Sequence, residues 1–479
     1  MRQTTGGTEM ENLKKRILVP IVGQGSITHV IRTGMLDSMS EFCKPVVALI
    51  WKEEELVKEL ESKGYEVTFF PPYKVSPEYA SLRYKINLWY LQHKLKTPSV
   101  NIQRQYLEQF RKNKQTVKLR KQLSETYYKW RFKLQSGYIK ELLQQEEILM
   151  QKEQVLLEYK SWLKLLNIYG LFTVTPFLHE VDLIARLFKQ QKIPVIASIH
   201  SFDNVTKRGW QSVVFDKYIV WNKYNKAELQ RIYSTLQKDE LITIAGAPQF
   251  DFHYNTSFAW DRQEWLQRKG LPTDKKVILF SGGPVALLPD EPQYLKLLKE
   301  AFENGEISKD YVILFRCHPL DKVERWKQYV GESNYIFYDS APNGVEKLDH
   351  ANVLKEDIMN LMSTLKHTEI HINTISTMCV DGSAFKKPQI GPYYDEVNPS
   401  NEKLFRRMYF QEHYVPIMNS KVLNLAYNKT QFIDLVNRLI ANPSAYTTNC
   451  TRCVEEIITY SDGRSTSRAV SAIKNFFVA

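Results

Sequence analysis

Hydroxyl side chains gather in one short turn in the second half of the chain. Residues 357–390 follow a helix, strand, helix pattern, and the turn before the second helix contains Thr374, Ser376 and Thr377. Hydroxyls and free backbone N–H groups at the positive end of a helix bind anions. The same residues also serve as ordinary helix caps. The turn therefore predicts either a phosphate site or a capped helix.

A second set of candidate residues follows two apolar runs that have the length of buried strands. Arg316 and His318 come directly after residues 311–315, and Ser281 and Gly282 follow residues 276–280. Open α/β sheets place ligand-binding groups at the carboxyl ends of their strands. Arginine can hold a phosphate bidentately, and histidine can donate a hydrogen bond to a phosphate leaving group. The alternative is a strand-end histidine that bonds only to backbone.

Several residues in the first half could act as a general base that removes a proton from a hydroxyl group. Asp203 is favoured because it lies in a polar loop straight after the apolar run 195–198. A general base must come within hydrogen-bond reach of the proton that it removes. An aspartate that merely caps a turn is an equally ordinary use of the residue type. The alternatives, most of which also lie near strand ends, are His200, His179, Glu180 and His29.

Neither a metal nor a cofactor is predicted from these residues. No D-x-D or E-x-x-H pair of ligands stands out, and Gly23-Gln24-Gly25 without a third glycine is only a weak indication of a phosphate cradle. The five cysteines are scattered, which favours reduced thiols. Cys450 and Cys453 have no second Cys or His pair near them, so ordinary cysteines are expected there.

The elements that must position these residues alternate between strand and helix. Apolar runs such as 16–22, 45–51 and 65–70 are separated by segments with helical spacing, and the alternation resumes after residue 171 and again after residue 276. This order predicts an α/β protein with two Rossmann-like, doubly wound lobes and a ligand crevice at their carboxyl strand ends. We expect a flexible N-terminus (1–15), a first lobe (16–251) with a helical insertion (about 77–166), and a second lobe (252–479).

Composition and charge narrow the class of protein. The chain has 479 residues, of which 43% are hydrophobic, which excludes collagenous and disordered classes. There is no apolar run of spanning length and no apolar leader at the N-terminus, so a cytoplasmic protein is expected. The net charge is +12, and residues 81–140 alone contain 15 Lys or Arg and two acidic residues. One segment therefore carries the whole excess of positive charge.

The basic segment predicts a helical surface that meets an anionic partner. Several basic residues together give reversible attachment to anionic lipid. Aromatic residues that could lie at such an interface are Trp89, Tyr90, Tyr127 and Trp130. Alternatively, these aromatic residues pack the insertion onto the first lobe and the lysines only solvate its outer face. Non-enzymatic binding of nucleic acid is a further alternative.

The second lobe resembles nucleotide-sugar and CDP-glycerol transferases of the GT-B type. In that group an I-S-x-x-S-S turn, a following acid and a K-P-x-I strand hold the donor, and the matching residues are Ile375, Ser376, Thr377, Asp381, Lys387, Pro388 and Ile390. The R-x-H-P sequence at Arg316 and His318 is similar to the HP motif of bacterial sialyltransferases, Kdo transferases and glycerophosphotransferases, which use cytidine-nucleotide donors. The resemblance also covers residues 216–251, and it does not cover the basic insertion.

The chain departs from this group in two places. The acidic D/E-D/E-G motif of the sialyltransferases is not evident in the first lobe, and the paired serines correspond to Ser376 and Thr377. The resemblance implies a metal-independent glycosyltransferase that moves a sugar from a CMP-, CDP- or UDP-linked donor to a surface polysaccharide or lipid-linked acceptor. A glycerophosphotransferase that uses CDP-glycerol and a nucleotide-sugar epimerase are the alternatives. A peripheral position on the inner face of the plasma membrane would fit the basic segment.

Overall fold

The chain folds into two compact units. This computed structural model describes residues 14–72, 74–95, 115–152, 154–285, 288–318, 321, 323–330, 333–339 and 352–478. Residues 1–13 of the predicted flexible N-terminus lie outside them. The first unit contains the described residues up to Gln249 together with the C-terminal helix, and the second contains those from Phe250 to Arg464.

The first unit is built on a sheet of seven parallel strands in the order β3-β2-β1-β4-β5-β6-β7. The strands are β1 (Arg16–Ile21), β2 (Lys44–Leu49), β3 (Glu66–Phe69), β4 (Gly170–Thr173), β5 (Val195–Ser198), β6 (Lys217–Val220) and β7 (Ile242–Ile244). Residues 17–19 and 195–197 are fully buried, as expected for strands covered on both faces. The chain starts in the middle of the sheet and reverses direction between β1 and β4, which makes that position the switch point.

The helices of the first unit include the predicted insertion. They are α1 (Gln24–Ser26), α2 (Met35–Ser40), α3 (Glu54–Ser62), α4 (Pro77–Trp89), α5 (Gln115–Leu134), α6 (Tyr138–Lys152), α7 (Gln154–Leu166), α8 (His179–Gln190), α9 (Asn204–Lys207) and α10 (Lys223–Ile232). Two π-helical segments span Ile27–Arg32 and Tyr90–Leu95. The segment with helical spacing between β1 and β2 is therefore divided, because Gly34 adopts a φ of 75° between the π-helix and α2.

The insertion, α4 to α7, has a small core of its own. Leu82 and Ile86 of α4 pack in one cluster with Phe132 of α5 and Leu142 of α6. An ion pair of 2.8 Å between Arg83 and Glu146 ties α4 to α6. Within the described residues, the long helical insertion predicted for the first lobe is confirmed.

The second unit repeats the same plan with six parallel strands in the order β10-β9-β8-β11-β12-β13. The strands are β8 (Lys276–Ser281), β9 (Tyr311–Arg316), β10 (Ile336–Asp339), β11 (Ile370–Asn373), β12 (Gln389–Pro392) and β13 (Leu423–Ala426). The helices are α11 (Arg262–Lys269), α12 (Pro292–Glu303), α13 (Lys327–Val330), α14 (Lys355–His367), α15 (Met378–Ala384), α16 (Glu402–Met408), α17 (Val415–Ser420), α18 (Lys429–Ala441) and α19 (Thr448–Ile457). Its switch point lies between β8 and β11.

The last helix, α20 (Ser465–Val478), belongs to the first unit, whereas the predicted second lobe ran to residue 479. It packs beside α2, β5 and β6. The ring of Phe477 covers Gly170 so closely that a Cβ on this glycine would lie 2.4 Å from the ring. With this exception in the course of the chain, the predicted fold class of two doubly wound α/β lobes is confirmed.

Candidate active site

Gly25, His29 and His200 meet at the carboxyl edge of the first sheet, next to its switch point. Gly25 follows β1 and His200 follows β5. A Cβ on Gly25 would lie 2.5 Å from Nε2 of His200, so only glycine lets the imidazole approach this turn. The glycine turn after β1 therefore makes room for a histidine ring. The structure gives it this role in place of the weakly indicated phosphate cradle.

His200 is held as a neutral imidazole. Burial lowers its pKa to about 4, the Asp203 carboxylate opposes that shift, and Arg208 reinforces it. The Nδ1 atom is buried and has no hydrogen-bond partner among the described residues. The His200 carbonyl accepts a hydrogen bond of 2.9 Å from Nε2 of Gln249, which follows β7. Backbone and ring packing thus fix an unprotonated base at this edge.

A second neutral histidine lies behind the first. His29 is fully buried within the π-helical segment, and its ring centroid is 5.8 Å from that of His200. Its Nε2 lies 3.4 Å from the Ser198 hydroxyl at the end of β5. Burial, and then the neighbouring His200, lower the pKa of His29 well below its usual value. Single-turn π-helical segments occur frequently at functional sites.

Asp203, the favoured base of the sequence analysis, is engaged by its own loop. Its carboxylate pairs with Lys207 at 3.0 Å and accepts a hydrogen bond of 3.1 Å from Nδ2 of Asn204. It directly precedes the short helix α9, where its side chain caps no backbone N–H. The Asp203 carboxylate is thus engaged in an ion pair, whereas Nδ1 of His200 has no hydrogen-bond partner among the described residues. This geometry favours His200 over Asp203 as the general base. The identity of the base remains a prediction.

His179 and Glu180 begin α8, after β4, on the side of the unit that faces the insertion. The His179 ring packs against the Tyr79 ring of α4, with centroids 4.8 Å apart and planes inclined by 35°. Burial, and then Arg83, lower the pKa of His179 to about 4. Glu180 lies in the first turn of α8, half-buried. These two candidates line a different part of the edge from His200.

In the second unit, three neighbouring strands end at the same level. Ser281 of β8 pairs in register with Arg316 of β9 on one side and with Asn373 of β11 on the other. The predicted donor residues Ser281, Gly282, Arg316, His318, Thr374, Ser376 and Thr377 therefore all come to one edge of the sheet. Gly282 donates its N–H to the Arg316 carbonyl at 2.9 Å and lies against the rings of Phe315 and Trp326.

The turn after β11 has an unusual backbone. Ile375 adopts a φ of 49°, a left-handed conformation that costs a β-branched residue energy and that clusters at functional sites. Ser376 accepts a hydrogen bond of 3.2 Å from the N–H of Met378, and its carbonyl accepts one of 3.2 Å from the Tyr414 hydroxyl. Thr377 is exposed, and Thr374 is buried. The predicted capping role is thus met by Ser376, at the start of the seven-residue helix α15.

A buried carboxyl holds the turn after β8. Glu291, at the start of α12, accepts a hydrogen bond of 2.6 Å from the Gly283 N–H. Burial raises its pKa to about 7, against the opposing effects of that N–H and of Arg325. Arg325 also donates to the Gly283 carbonyl at 2.9 Å. Sequence analysis missed Glu291 and Arg325, because nothing in their local sequence indicates burial beside a glycine turn.

Two predicted donor ligands are already paired within the second unit. The Arg316 guanidinium donates to the buried Asp339 carboxylate at 2.6 Å, and Lys269 pairs with the same carboxylate. Asp381 lies 2.8 Å from Nε2 of His253, whose ring stacks on Phe250. Each pair has a structural role in this unit, and a donor contact by Arg316 or Asp381 remains a prediction.

His318 follows β9 at the same edge. Burial lowers its pKa, and Asp321 opposes that shift. Its carbonyl accepts a hydrogen bond of 2.9 Å from the Asp321 N–H. The proline that completes the R-x-H-P sequence lies outside the described residues. A neutral imidazole at this position can donate a hydrogen bond to a phosphate oxygen.

Searches for metal sites and membrane spans are negative over the described residues. No group of three His, Cys, Asp or Glu side chains in that part of the chain could hold a metal ion. Cys450 and Cys453 are buried free thiols on α19, and burial raises the pKa of Cys450 to about 12. No helix in the described ranges has both the length and the apolar character that crossing a bilayer requires.

The family model for CDP-Glycerol:Poly(glycerophosphate) glycerophosphotransferase matches residues 189–475. The match contains the second unit and the β5 to β7 edge with His200, and it leaves out the insertion. No curated protein matches the chain in a sequence search.

Solved structures with the same fold include sugar-nucleotide enzymes. The S. aureus MnaA–UDP complex has a TM-score of 0.54 at 11% identity and 97% coverage of both chains. The UDP-GlcNAc 2-epimerase from Neisseria meningitidis bound to UDP-GlcNAc has a TM-score of 0.52 at 9% identity, covering 96% of this chain and 100% of that one. The wall teichoic acid polymerase TagF matches with a TM-score of 0.48 at 12% identity, over 97% and 89% of the two chains. At such identities, the first two likenesses establish the fold alone.

Proposed function

Because the chain belongs to the CDP-glycerol:poly(glycerophosphate) glycerophosphotransferase family, we propose that it transfers a glycosyl or glycerophosphoryl group from a cytidine-nucleotide donor. The acceptor is a hydroxyl group on a surface polysaccharide or on a lipid-linked polymer. The observation that carries this proposal is the neutral His200 imidazole beside Gly25, at the carboxyl edge of the first sheet. A transferase needs such a base, whereas a binding protein does not.

His200 acts on the acceptor in this proposal. The imidazole takes the proton from the acceptor hydroxyl while the oxygen attacks the donor. For a glycerophosphoryl donor, the new bond forms at phosphorus and CMP leaves. For a sugar donor, the bond forms at the anomeric carbon and the nucleotide phosphate leaves. With a pKa of about 4, the imidazole is unprotonated throughout the physiological range.

The second unit acts on the departing nucleotide. Negative charge develops on its phosphate as the bond breaks, and preorganised N–H and O–H donors stabilise such charge. We assign this role to His318 and to the hydroxyls of Ser376 and Thr377. The strained Ile375 between them and β11 holds the turn in one conformation. No metal ion is required by this arrangement, so the expected rate is unchanged by EDTA.

The test is a screen of nucleotide-linked donors, carried out both with and without an acceptor. The intact protein is incubated with CMP-, CDP-, UDP- and GDP-linked compounds, with and without a hydroxyl-bearing polymer, and released nucleotide is measured. We expect cytidine nucleotide to be released only when acceptor is present. Conversion of a UDP-sugar without acceptor would replace the proposal with epimerase activity, and no turnover of any donor would refute transfer.

We further propose that α5 attaches the enzyme to an anionic membrane surface. Five apolar residues on this helix are each more than half exposed: Leu119, Leu123, Tyr127, Trp130 and Leu134. At about 100° per residue their spacing places them within an arc of about 80°. Glu125 and Phe132 are buried on the opposite side, where Phe132 joins the core of the insertion. The helix therefore presents a separate apolar stripe outward.

The charge of α5 selects an anionic partner. The helix contains six basic residues, and its one acidic residue, Glu125, is buried. Lys129 and Lys133 are exposed. An apolar stripe on a basic helix is the pattern of interfacial membrane helices. Of the four predicted interface aromatics, Tyr127 and Trp130 are exposed, whereas Tyr90 is fully buried and Trp89 packs edge-on against Trp210. Residues 96–114 of the basic segment lie outside the described residues.

Vesicle co-sedimentation tests this attachment. Binding to anionic but not to neutral vesicles is expected, with loss in high salt and in a Leu123→Ser/Trp130→Ser variant. Leu165→Ser, which changes a leucine that is 86% exposed on α7, is the matched control and leaves binding unchanged. Equal binding to neutral vesicles, dimerisation through α5 or a preference for RNA would each contradict attachment.

A further inference from the structure

A half-open cavity of about 220 Å³ lies in the first unit between the insertion and the sheet edge. Tyr79 and Arg83 of α4 form one wall. His179 and Asp182 of α8 form the second, and Trp210 and Gln211, which follow α9, form the third. Cavities for drug-sized ligands measure roughly 300–1,000 Å³, so this one suits a single small group.

Three polar atoms of the lining residues are buried and have no hydrogen-bond partner among the described residues. They are Oδ1 of Asp182, Nε1 of Trp210 and Nε2 of Gln211. Asp182 is 6% exposed and Gln211 is 2% exposed. Unmatched polar atoms in a protein interior are rare and need an explanation. One acceptor and two donors around one cavity indicate a ligand that both donates and accepts hydrogen bonds.

The remaining polar atoms of these side chains are fixed by the protein. Oδ2 of Asp182 accepts a hydrogen bond from Ser212, and Oε1 of Gln211 accepts one of 2.9 Å from Tyr218. The carbonyl of Trp210 accepts one from Arg83. The three unmatched atoms are therefore held in place before any ligand enters, which lowers the entropic cost of binding.

The charge of the cavity excludes an anionic ligand. Arg83 is paired with Glu146 at 2.8 Å, and the Tyr79 hydroxyl lies 3.1 Å from the same carboxylate. The other charged lining group is the Asp182 carboxylate, which repels phosphate. The rings of Tyr79, His179 and Trp210 supply flat apolar walls. A neutral polyhydroxyl group combines apolar faces with hydroxyls that donate and accept, so it matches these walls and atoms.

We propose that this cavity binds the hydroxyl-bearing terminal unit of the acceptor, a sugar ring or a glycerol moiety. The inference rests on the proposed transferase function. Two loops link the cavity to the base, because Trp210 and Gln211 lie in the same connection between β5 and β6 as His200, and α8 follows the neighbouring strand β4. Tyr79, Arg83, His179 and Asp182 lie outside the residues matched by the family model, so this chain supplies the specificity of the site itself.

Saturation-transfer NMR on the intact protein tests binding, with glycerol, N-acetylglucosamine and inorganic phosphate as probes. We expect transfer to at least one neutral polyol and none to phosphate. Trp210→Phe keeps the aromatic wall and removes the N–H, and should weaken polyol binding about ten-fold. Trp89→Phe is the matched control, because its ring packs 5.6 Å from that of Trp210 and does not line the cavity. Equal polyol binding by both variants would overturn the assignment.

Kinetics separate this proposal from the transferase function on which it rests. Asp182→Asn and Trp210→Phe should raise KM for the acceptor about ten-fold and leave KM for the donor and the melting temperature unchanged. If both variants transfer the group with an unaltered KM for the acceptor, the proposed acceptor site is refuted and the proposed transferase function stands. If the protein binds a polyol but turns over no donor, the proposed transferase function is refuted and the cavity remains a polyol-binding site. A lower melting temperature with both KM values unchanged would show that Asp182 and Trp210 have a structural role alone.

Discussion

The two units share one topology and differ in what stands at the switch point. Each begins with a central strand that ends in a glycine turn, at Gly25 after β1 and at Gly282 after β8. In the first unit the turn gives space to a neutral imidazole, and burial lowers the pKa values of His29 and His200. In the second unit the turn is fastened to Glu291 and Arg325. The same backbone plan therefore supports a base at one edge and a fixed hydrogen-bonding frame at the other.

Among the substitutions that test this comparison, we expect Gly25→Ala to have the largest effect on turnover. The added Cβ would lie 2.5 Å from the His200 ring, so the imidazole must move. A general base contributes about 10²–10⁴-fold to rate, and most of that should be lost. Turnover with saturating donor measures it. Gly137→Ala is the control, since nothing lies within 4 Å of its added Cβ and its activity should stay unchanged.

The substitution Glu291→Gln tests the hydrogen-bonding frame of the second unit through the pH dependence of the free energy of unfolding. The folded protein binds the Glu291 proton more tightly than the unfolded chain, because burial raises the pKa from 4.5 to about 7. Stability from this group is therefore present below pH 4.5 and is lost as pH rises through 7, by at most about 3 kcal/mol.

The substitution should make the free energy of unfolding less dependent on pH between 4.5 and 7. Chemical denaturation at several pH values measures this. An unchanged slope in the variant would show that Glu291 does not titrate in that range.

At the sheet edge of the second unit, we expect His318 to bind the donor and Arg316 to have a structural role. His318→Ala should raise KM for the donor by roughly 10-fold, about the value of one lost hydrogen bond to a charged group, and leave the melting temperature unchanged. Arg316→Gln should lower the melting temperature, because buried Asp339 loses one of its two cationic partners. A normal donor KM in His318→Ala, or a stable Arg316→Gln variant with a raised donor KM, would reverse the two roles.

The strands and their order could be predicted because apolar runs of strand length alternate with helical spacing. Residues 276–280, for example, predict β8 to within one residue. The return of α20 to the first unit could not be predicted, since it depends on the contact of Phe477 with Gly170 across the whole chain. The division of the first helix into a π-helical segment and α2 also depends on tertiary packing around His29.

The sheet edge that the candidate donor residues share could be predicted, and the roles of these residues stay predictions. Strand ends correctly gave the edge at which Ser281, Arg316 and Thr374 meet. The pairing of Arg316 with Asp339, 23 residues later, and of Asp381 with His253 requires three dimensions. The preference for His200 over Asp203 as the base also requires the three-dimensional structure. Residue type alone reveals neither the burial of His200 nor the ion pair of Asp203.

The most direct test of the account compares transfer by His200→Ala and Asp203→Asn under identical conditions. The released cytidine nucleotide is measured with saturating donor and acceptor, and folding of both variants is checked by thermal unfolding. We predict a loss of about 10²–10⁴-fold for His200→Ala and less than about 10-fold for Asp203→Asn. Near-normal transfer by a folded His200→Ala variant, with Asp203→Asn inactive, would contradict the account and restore Asp203 as the base.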